Sequence, residues 1–264
     1  MKSRLIYKIL PLLAIVMLWA SCKEDPPIAE MPIQVDTTPY LLEYGDLPPP
    51  VITADNELTV EKVKLGRMLF YETRLSLDGS MSCSSCHQQE NAFSDSSRFS
   101  IGVAGQPGGR HAMAVFNMAW NTNEFFWDGR AHLLRDQSLL PIQDPLEMKE
   151  SLPGIISKLQ VDSRYREQFA RAFGGDKITA FRISLALEQF MNSIVSVDSK
   201  YDRFLRNEVT LSASEDRGRE LFFTEYNPFF PSLSGADCAH CHSGKNFEND
   251  RYLNNGLDAQ VDFT

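Results

Sequence analysis

The feature that most constrains this chain is a pattern it uses twice: C-x-x-C-H, at Cys83, Cys86 and His87 and again at Cys238, Cys241 and His242. Two thiols separated by two residues can add, from one short turn, across the two vinyl groups of a porphyrin. The histidine that follows is then placed to ligate the iron from the same side. A zinc site built from both pairs would leave both histidines unexplained and would have to join distant parts of the chain. A redox dithiol wants a strand-to-helix junction in an α/β setting. A disulfide scaffold has no reason to set histidine after each pair. Covalent attachment of two haem c groups is therefore the favoured reading, with zinc or a disulfide as the alternatives.

The fifth cysteine, Cys22, belongs to a different pattern. Lys2, Arg4 and Lys8 precede an apolar run from Ile9 to Trp19 and the small pair Ala20-Ser21. This reads as a lipoprotein signal peptide over residues 1–21, cleaved before Cys22, whose sulfur and amine take lipid. The run is too short for a confident membrane span. Lys23-Glu24-Asp25 is a weak match to a surface-export signal, so the expectation is an exported protein anchored to an outer membrane, facing the periplasm or the cell surface. Cleavage removes three cations and no acid, taking the formal charge from −9 to −12. An acidic surface without a basic run excludes nucleic acid as a partner.

Residues 22–52 are proline-rich, as in DPP, TTPY and LPPP, and read as an extended tether. Beyond Leu58 the spacing is helical. Val60, Val63, Met68 and Leu69 share one face. Tyr165, Phe169 and Phe173 precede a stop at Gly174-Gly175. Ile183, Leu187, Phe190, Met191 and Ile194 line the longest periodic segment. Ser212 and Glu215 are spaced as a capping box. No alternating strand pattern stands out, so the fold class is mostly α. Gly66-Arg67-Met68-Leu69-Phe70 precedes the first C-x-x-C-H and Gly218-Arg219-Glu220-Leu221-Phe222 the second. That echo implies two similar modules, residues 53–205 and 206–264.

From about Leu65 onward the sequence resembles the bacterial di-haem cytochrome c peroxidase and MauG family. The blocks that carry the resemblance are LGRMLFYETRLSLDGSMSCSSCH, FSIGVAGQPGGRHAMAVFNMAW, FFWDGRAHLLRDQSLLPIQDPLEM and GRELFF with CAHCHSGKNF. It implies two cytochrome c-like haem domains. The first would be the peroxide-binding site, held by Cys83, Cys86 and His87, and the second an electron-accepting site, held by Cys238, Cys241 and His242. Trp127 matches the tryptophan between the two haems. Gln137 and Glu147 match the pocket amide and carboxylate that orient peroxide and move its proton. Hydrogen peroxide is the implied substrate and a small cytochrome c, a cupredoxin or a quinol the implied donor. A second copy of the chain is a further candidate partner. MauG-like oxidation of a protein or small molecule is the alternative activity. A non-catalytic electron-transfer lipoprotein is the alternative from another class, though it would not need Trp127, Gln137 and Glu147 together.

Two departures sharpen these expectations. Val103 stands where peroxidases of the family carry a histidine that caps the resting iron, and valine cannot ligate, so His87 is expected to be the only protein ligand there. His111 stands where the family has an asparagine that helps hold calcium, and imidazole is a poor calcium ligand. His132, expected on a helix, and His240 read as ordinary exposed residues. The family continues past the Asn-Asn-Gly-Leu segment near the end of this sequence, into the part that supplies the second haem's other axial ligand. The second domain is therefore expected to be incomplete here.

Overall fold

A computed structural model describes residues 34–249 and 251–253. The expected signal peptide, Cys22 and residues 23–33 lie outside those residues. The described rest of the proline-rich segment bonds back to the fold, Asp36 N–H to the Arg171 carbonyl at 2.9 Å and Tyr40 N–H to the Leu58 carbonyl at 3.0 Å, and so is not a free tether there. Among the described residues only helices and isolated bridges occur, such as Phe125 with Ala131, in keeping with the mostly α expectation. None of these helices is long and apolar enough to cross a membrane.

The centre of the first half is a pair of helices, α1 (Val60–Phe70) and, later in the chain, α6 (Ala180–Ser193). Thr59 caps α1 and Thr179 caps α6, each accepting through its hydroxyl the backbone N–H three residues on. The two helices meet at Gly66. A Cβ there would lie 2.0 Å from the Ala186 carbonyl oxygen, so the missing side chain lets the backbones touch. Around this contact Leu65, Leu69, Phe70, Ile183, Ala186 and Leu187 are buried. The face differs by one position from the sequence expectation, because Leu65 and Gly66 turn inward while Val60 is 39% exposed.

Between these helices in the chain come α2 (Cys83–Cys86), α3 (Leu134–Gln143), α4 (Leu152–Gln160) and α5 (Ser163–Phe173). α5 stops at Gly174, whose φ of 74° is the left-handed cap that glycine adopts without strain. His132 precedes α3 rather than lying on a helix, and its ring is exposed beside Glu124. α3 is tied to α6 through charge. Arg135 and Glu188, both about 95% buried, pair at 3.0 Å, and Arg135 also bonds Asp55 and Thr53. Asn56 donates to Glu188 at 2.7 Å, which leaves the buried carboxylate with two partners.

The chain then forms α7 (Lys200–Leu205) and α8 (Ala213–Phe223), and α8 starts at the expected Ser212–Glu215 capping box. From residue 193 onward no described residue is buried.

Candidate active site

The first C-x-x-C-H folds locally as the sequence requires. α2 is one turn that presents both sulfurs, and the His87 N–H closes it on the Cys83 carbonyl at 3.0 Å. The chain then reverses so that Phe93, at a left-handed φ of 55°, turns its carbonyl to the imidazole. His87 Nδ1 lies 3.1 Å from that oxygen. A carbonyl can only accept, so Nδ1 carries the hydrogen and Nε2 keeps its lone pair. Burial lowers the proton affinity of His87 and favours the neutral ring that can ligate a metal.

The turn opens on a cleft lined by Phe70 of α1, Leu187 and Met191 of α6, and Gln137 and Ser138 of α3. Met81, Ser82, Val115, Pro141, Glu147 and Met148 complete the lining around Cys83, Cys86 and His87. The five sequence-predicted residues Cys83, Cys86, His87, Gln137 and Glu147 therefore meet around one space. Trp127 does not line it.

Three observations show that these residues suit a covalently attached haem. Cys83 and Cys86 are unpaired thiols on one turn, next to a histidine whose Nδ1 is held by the Phe93 carbonyl. The lining is apolar apart from one amide, one carboxyl and two hydroxyls, as a porphyrin face requires. The alternatives also weaken. Burial pushes the Cys83 thiol up to about 12 and raises Cys86 as well, whereas a redox dithiol needs lowered thiols. Among the described residues no three histidine, cysteine or acidic side chains converge as a metal cluster, which removes the basis for zinc. The free space in the cleft is about 60 Å³, so the fit rests on donors and lining rather than volume.

Glu147 owes its position to a close backbone approach. The Val103 N–H donates to the Glu147 carbonyl at 2.8 Å. Beside it, a Cβ on Gly102 would sit 1.9 Å from the Leu146 carbonyl oxygen, so only glycine lets the two segments meet. Val103 is thereby packed against the core, half-buried, and its backbone holds the catalytic candidate's segment. Burial, first, and then the Asp144 carboxylate raise the proton affinity of Glu147, while Arg130 opposes them.

The second C-x-x-C-H repeats the local geometry. The His242 N–H bonds the Cys238 carbonyl at 2.9 Å, and His242 Nδ1 lies 3.1 Å from the Phe247 carbonyl. Phe247 has a φ of 56°, like Phe93. Phe70 packs edge-on to Phe93, and its echo Phe222 packs edge-on to Phe247. The glycine-to-phenylalanine echo thus places equivalent rings behind equivalent histidine partners.

Trp127 is 54% exposed, and its indole N–H donates to the His111 carbonyl at 2.9 Å. The His111 ring faces the Asp95 carbonyl at 2.9 Å. The turn that carries Trp127 is also where Tyr252, ten residues after His242, packs. The Tyr252 ring covers Gly129, where a Cβ would lie 2.6 Å from it, and the Tyr252 hydroxyl donates to the Glu124 carbonyl at 2.9 Å. Tyr252 escapes sequence reasoning because a lone aromatic near the end of a chain carries no pattern. The matching glycine in W-D-G-R is the one available hint.

A family profile described as di-haem cytochrome c peroxidase matches residues 60–210. The methylamine utilization protein MauG of Methylophilus methylotrophus is 36% identical over 203 residues, covering 76% of this chain and 58% of that protein. Cytochrome c551 peroxidase of Nitrosomonas europaea is 36% identical over 195 residues, covering 73% of this chain and 54% of that protein. The chain thus spans little more than half the length of these relatives. A MauG-like protein associated with microbial copper homeostasis has a similar solved structure, with a TM-score of 0.67 and 36% identity, covering 80% of this chain and 60% of that one. Profile, relatives and fold agree with the paired attachment motifs and the cleft above the first of them, and the chain belongs to the di-haem cytochrome c peroxidase and MauG family.

Proposed function

We propose that this protein reduces hydrogen peroxide to water at the first C-x-x-C-H site, with electrons that enter through the second. The observation that carries this reading is the convergence of Gln137 and Glu147 on the cleft formed by Cys83, Cys86 and His87. Covalently held haem would supply the Lewis acidity and redox capacity at each site. The thiols of Cys83 and Cys86 would hold it covalently, and His87 Nε2 would supply a ligand to its iron. The Gln137 amide orients peroxide by hydrogen bonding. Glu147 would accept a proton from one peroxide oxygen and hand it to the other. Two electrons and two protons then convert one peroxide to two waters. Trp127 lies on the turn that Tyr252 covers and would relay electrons between the two sites. A small cytochrome c, a cupredoxin or a quinol would serve as donor, with lipid on Cys22 holding the protein at an outer membrane.

The decisive assay follows peroxide consumption by the doubly haem-loaded protein with a reduced small cytochrome c. Turnover is expected, and Glu147→Gln should lower kcat/KM for peroxide by about 100-fold or more with both haem spectra unchanged. Full activity in that variant would remove Glu147 from the mechanism. Absence of turnover in the parent protein would leave an electron carrier. A second reading, MauG-like oxidation of a protein or small molecule, is favoured by Val103 and by the likeness to MauG. Oxidation of a donor substrate without net reduction of added peroxide by cytochrome c would select it.

A further inference from the structure

A second cavity, of about 310 Å³, adjoins the cleft and shares Pro141 and Glu147 with it. Its other walls are Phe126, Arg130, Leu140, Gln143 and Asp144. Arg130, Leu140 and Gln143 are exposed, whereas Pro141 and Glu147 are half-buried. The cavity therefore runs from a surface rim to a floor that is also a wall of the candidate active site.

Its rim is built rather than incidental. The Arg130 guanidinium carbon stacks 3.6 Å over the Phe126 ring. Asp128 accepts from Arg130 through both oxygens, at 2.9 and 3.1 Å, and also pairs with Arg110 at 2.7 Å. The loop is closed at its ends by Phe125 and Ala131, and Phe126 sits at a φ of 71°, a backbone region that non-glycine residues rarely adopt. The surroundings thus hold one aromatic ring and one cation at a fixed place beside Glu147.

Resting on the peroxidase reading of the adjoining site, we propose that this cavity is the vestibule through which peroxide enters and water leaves, with the Phe126–Arg130 stack and Leu140 as its size-selecting rim. The wall offers a cation, an amide and two carboxyls, so it favours neither anions nor cations outright. It suits a small neutral molecule that both donates and accepts hydrogen bonds, as hydrogen peroxide does. Organic hydroperoxides, with bulky apolar tails, would have to pass the stack and Leu140. Asp144 is exposed to the vestibule next to Glu147, which gives protons consumed in each turnover the same route from solvent.

The test reads ligand entry to the first haem in the loaded protein and does not depend on turnover. Leu140→Trp narrows the rim at an exposed helix position where folding is little affected. Cyanide association and dissociation, followed by stopped-flow absorbance, should both slow about tenfold in that variant while the dissociation constant stays unchanged. Arg130→Ala should raise the association rate of tert-butyl isocyanide relative to methyl isocyanide in the reduced protein. Unchanged rates in Leu140→Trp, a changed affinity with unchanged association, or an unchanged isocyanide ratio in Arg130→Ala would overturn the vestibule. Slowed cyanide entry and exit in a protein that consumes no peroxide would keep the route and remove the peroxidase reading instead.

Discussion

Among the described residues the two C-x-x-C-H segments share a pattern and a local geometry but differ in what covers them. In both, the histidine N–H closes the turn on the first cysteine, Nδ1 is held by a phenylalanine carbonyl, and a phenylalanine from the preceding helix packs behind. The first turn is then covered by α3 and α6, and buried Phe70 and Leu187 line its cleft. From residue 193 onward, the stretch that holds the second, no described residue is itself buried, and Phe229 is 84% exposed. The motif fixes how a histidine is aimed, and the helices packed on it decide what chemistry can surround that histidine.

The two equivalent glycines offer the strongest way to break this comparison. Gly66→Ala drives a Cβ into the Ala186 carbonyl and should cost about 3 kcal/mol or more of stability, read as a lowered urea midpoint. A midpoint near that of the parent would mean that α1 and α6 are not locked together at this point. The chemistry of the cleft can be tested next through pH. Because Glu147 binds its proton more tightly than an ordinary glutamate, its base form is lost as pH falls through a value above 4.5. The acid limb of the kcat/KM profile should therefore lie above 4.5. Asp144→Asn removes a repelling charge and should move the limb to lower pH, and a limb that stays in place would exclude Asp144 as a neighbour of the catalytic group. The smallest effect is expected at Gly218, where a Cβ meets nothing within 4 Å. Gly218→Ala should stabilise α8 by roughly 0.5–1 kcal/mol through helix propensity alone. A loss of stability there instead would show that this helix face is tightly packed in the protein.

Much of this was legible in the sequence, for identifiable reasons. The periodic helices α1, α5, α6 and α8 were visible because their apolar spacing and caps are local signals. The echo of Phe70 in Phe222 pointed to equivalent positions, and the structure gives both the same role. The inward turn of Leu65 and Gly66 was not legible, since it follows from where α6 lies. The same holds for Arg130 beside Glu147, which comes from a separate loop, whereas Asp144 lies in the same turn, its carbonyl accepting the Glu147 N–H at 3.1 Å. Gln137 and Glu147 were reached through resemblance, because locally each looks like a solvated polar residue.

The central claim is that the first site, with His87 below and Val103 unable to ligate, is open to peroxide while the second is not equivalent to it. An electron paramagnetic resonance spectrum of the oxidised, doubly haem-loaded protein tests this most directly. The account predicts a high-spin, five-coordinate ferric signal for one of the two haems, lost when cyanide is added. A spectrum containing only low-spin, six-coordinate haem, as ligation by Met81, Met148 or Met191 of the same cleft would produce, would contradict it.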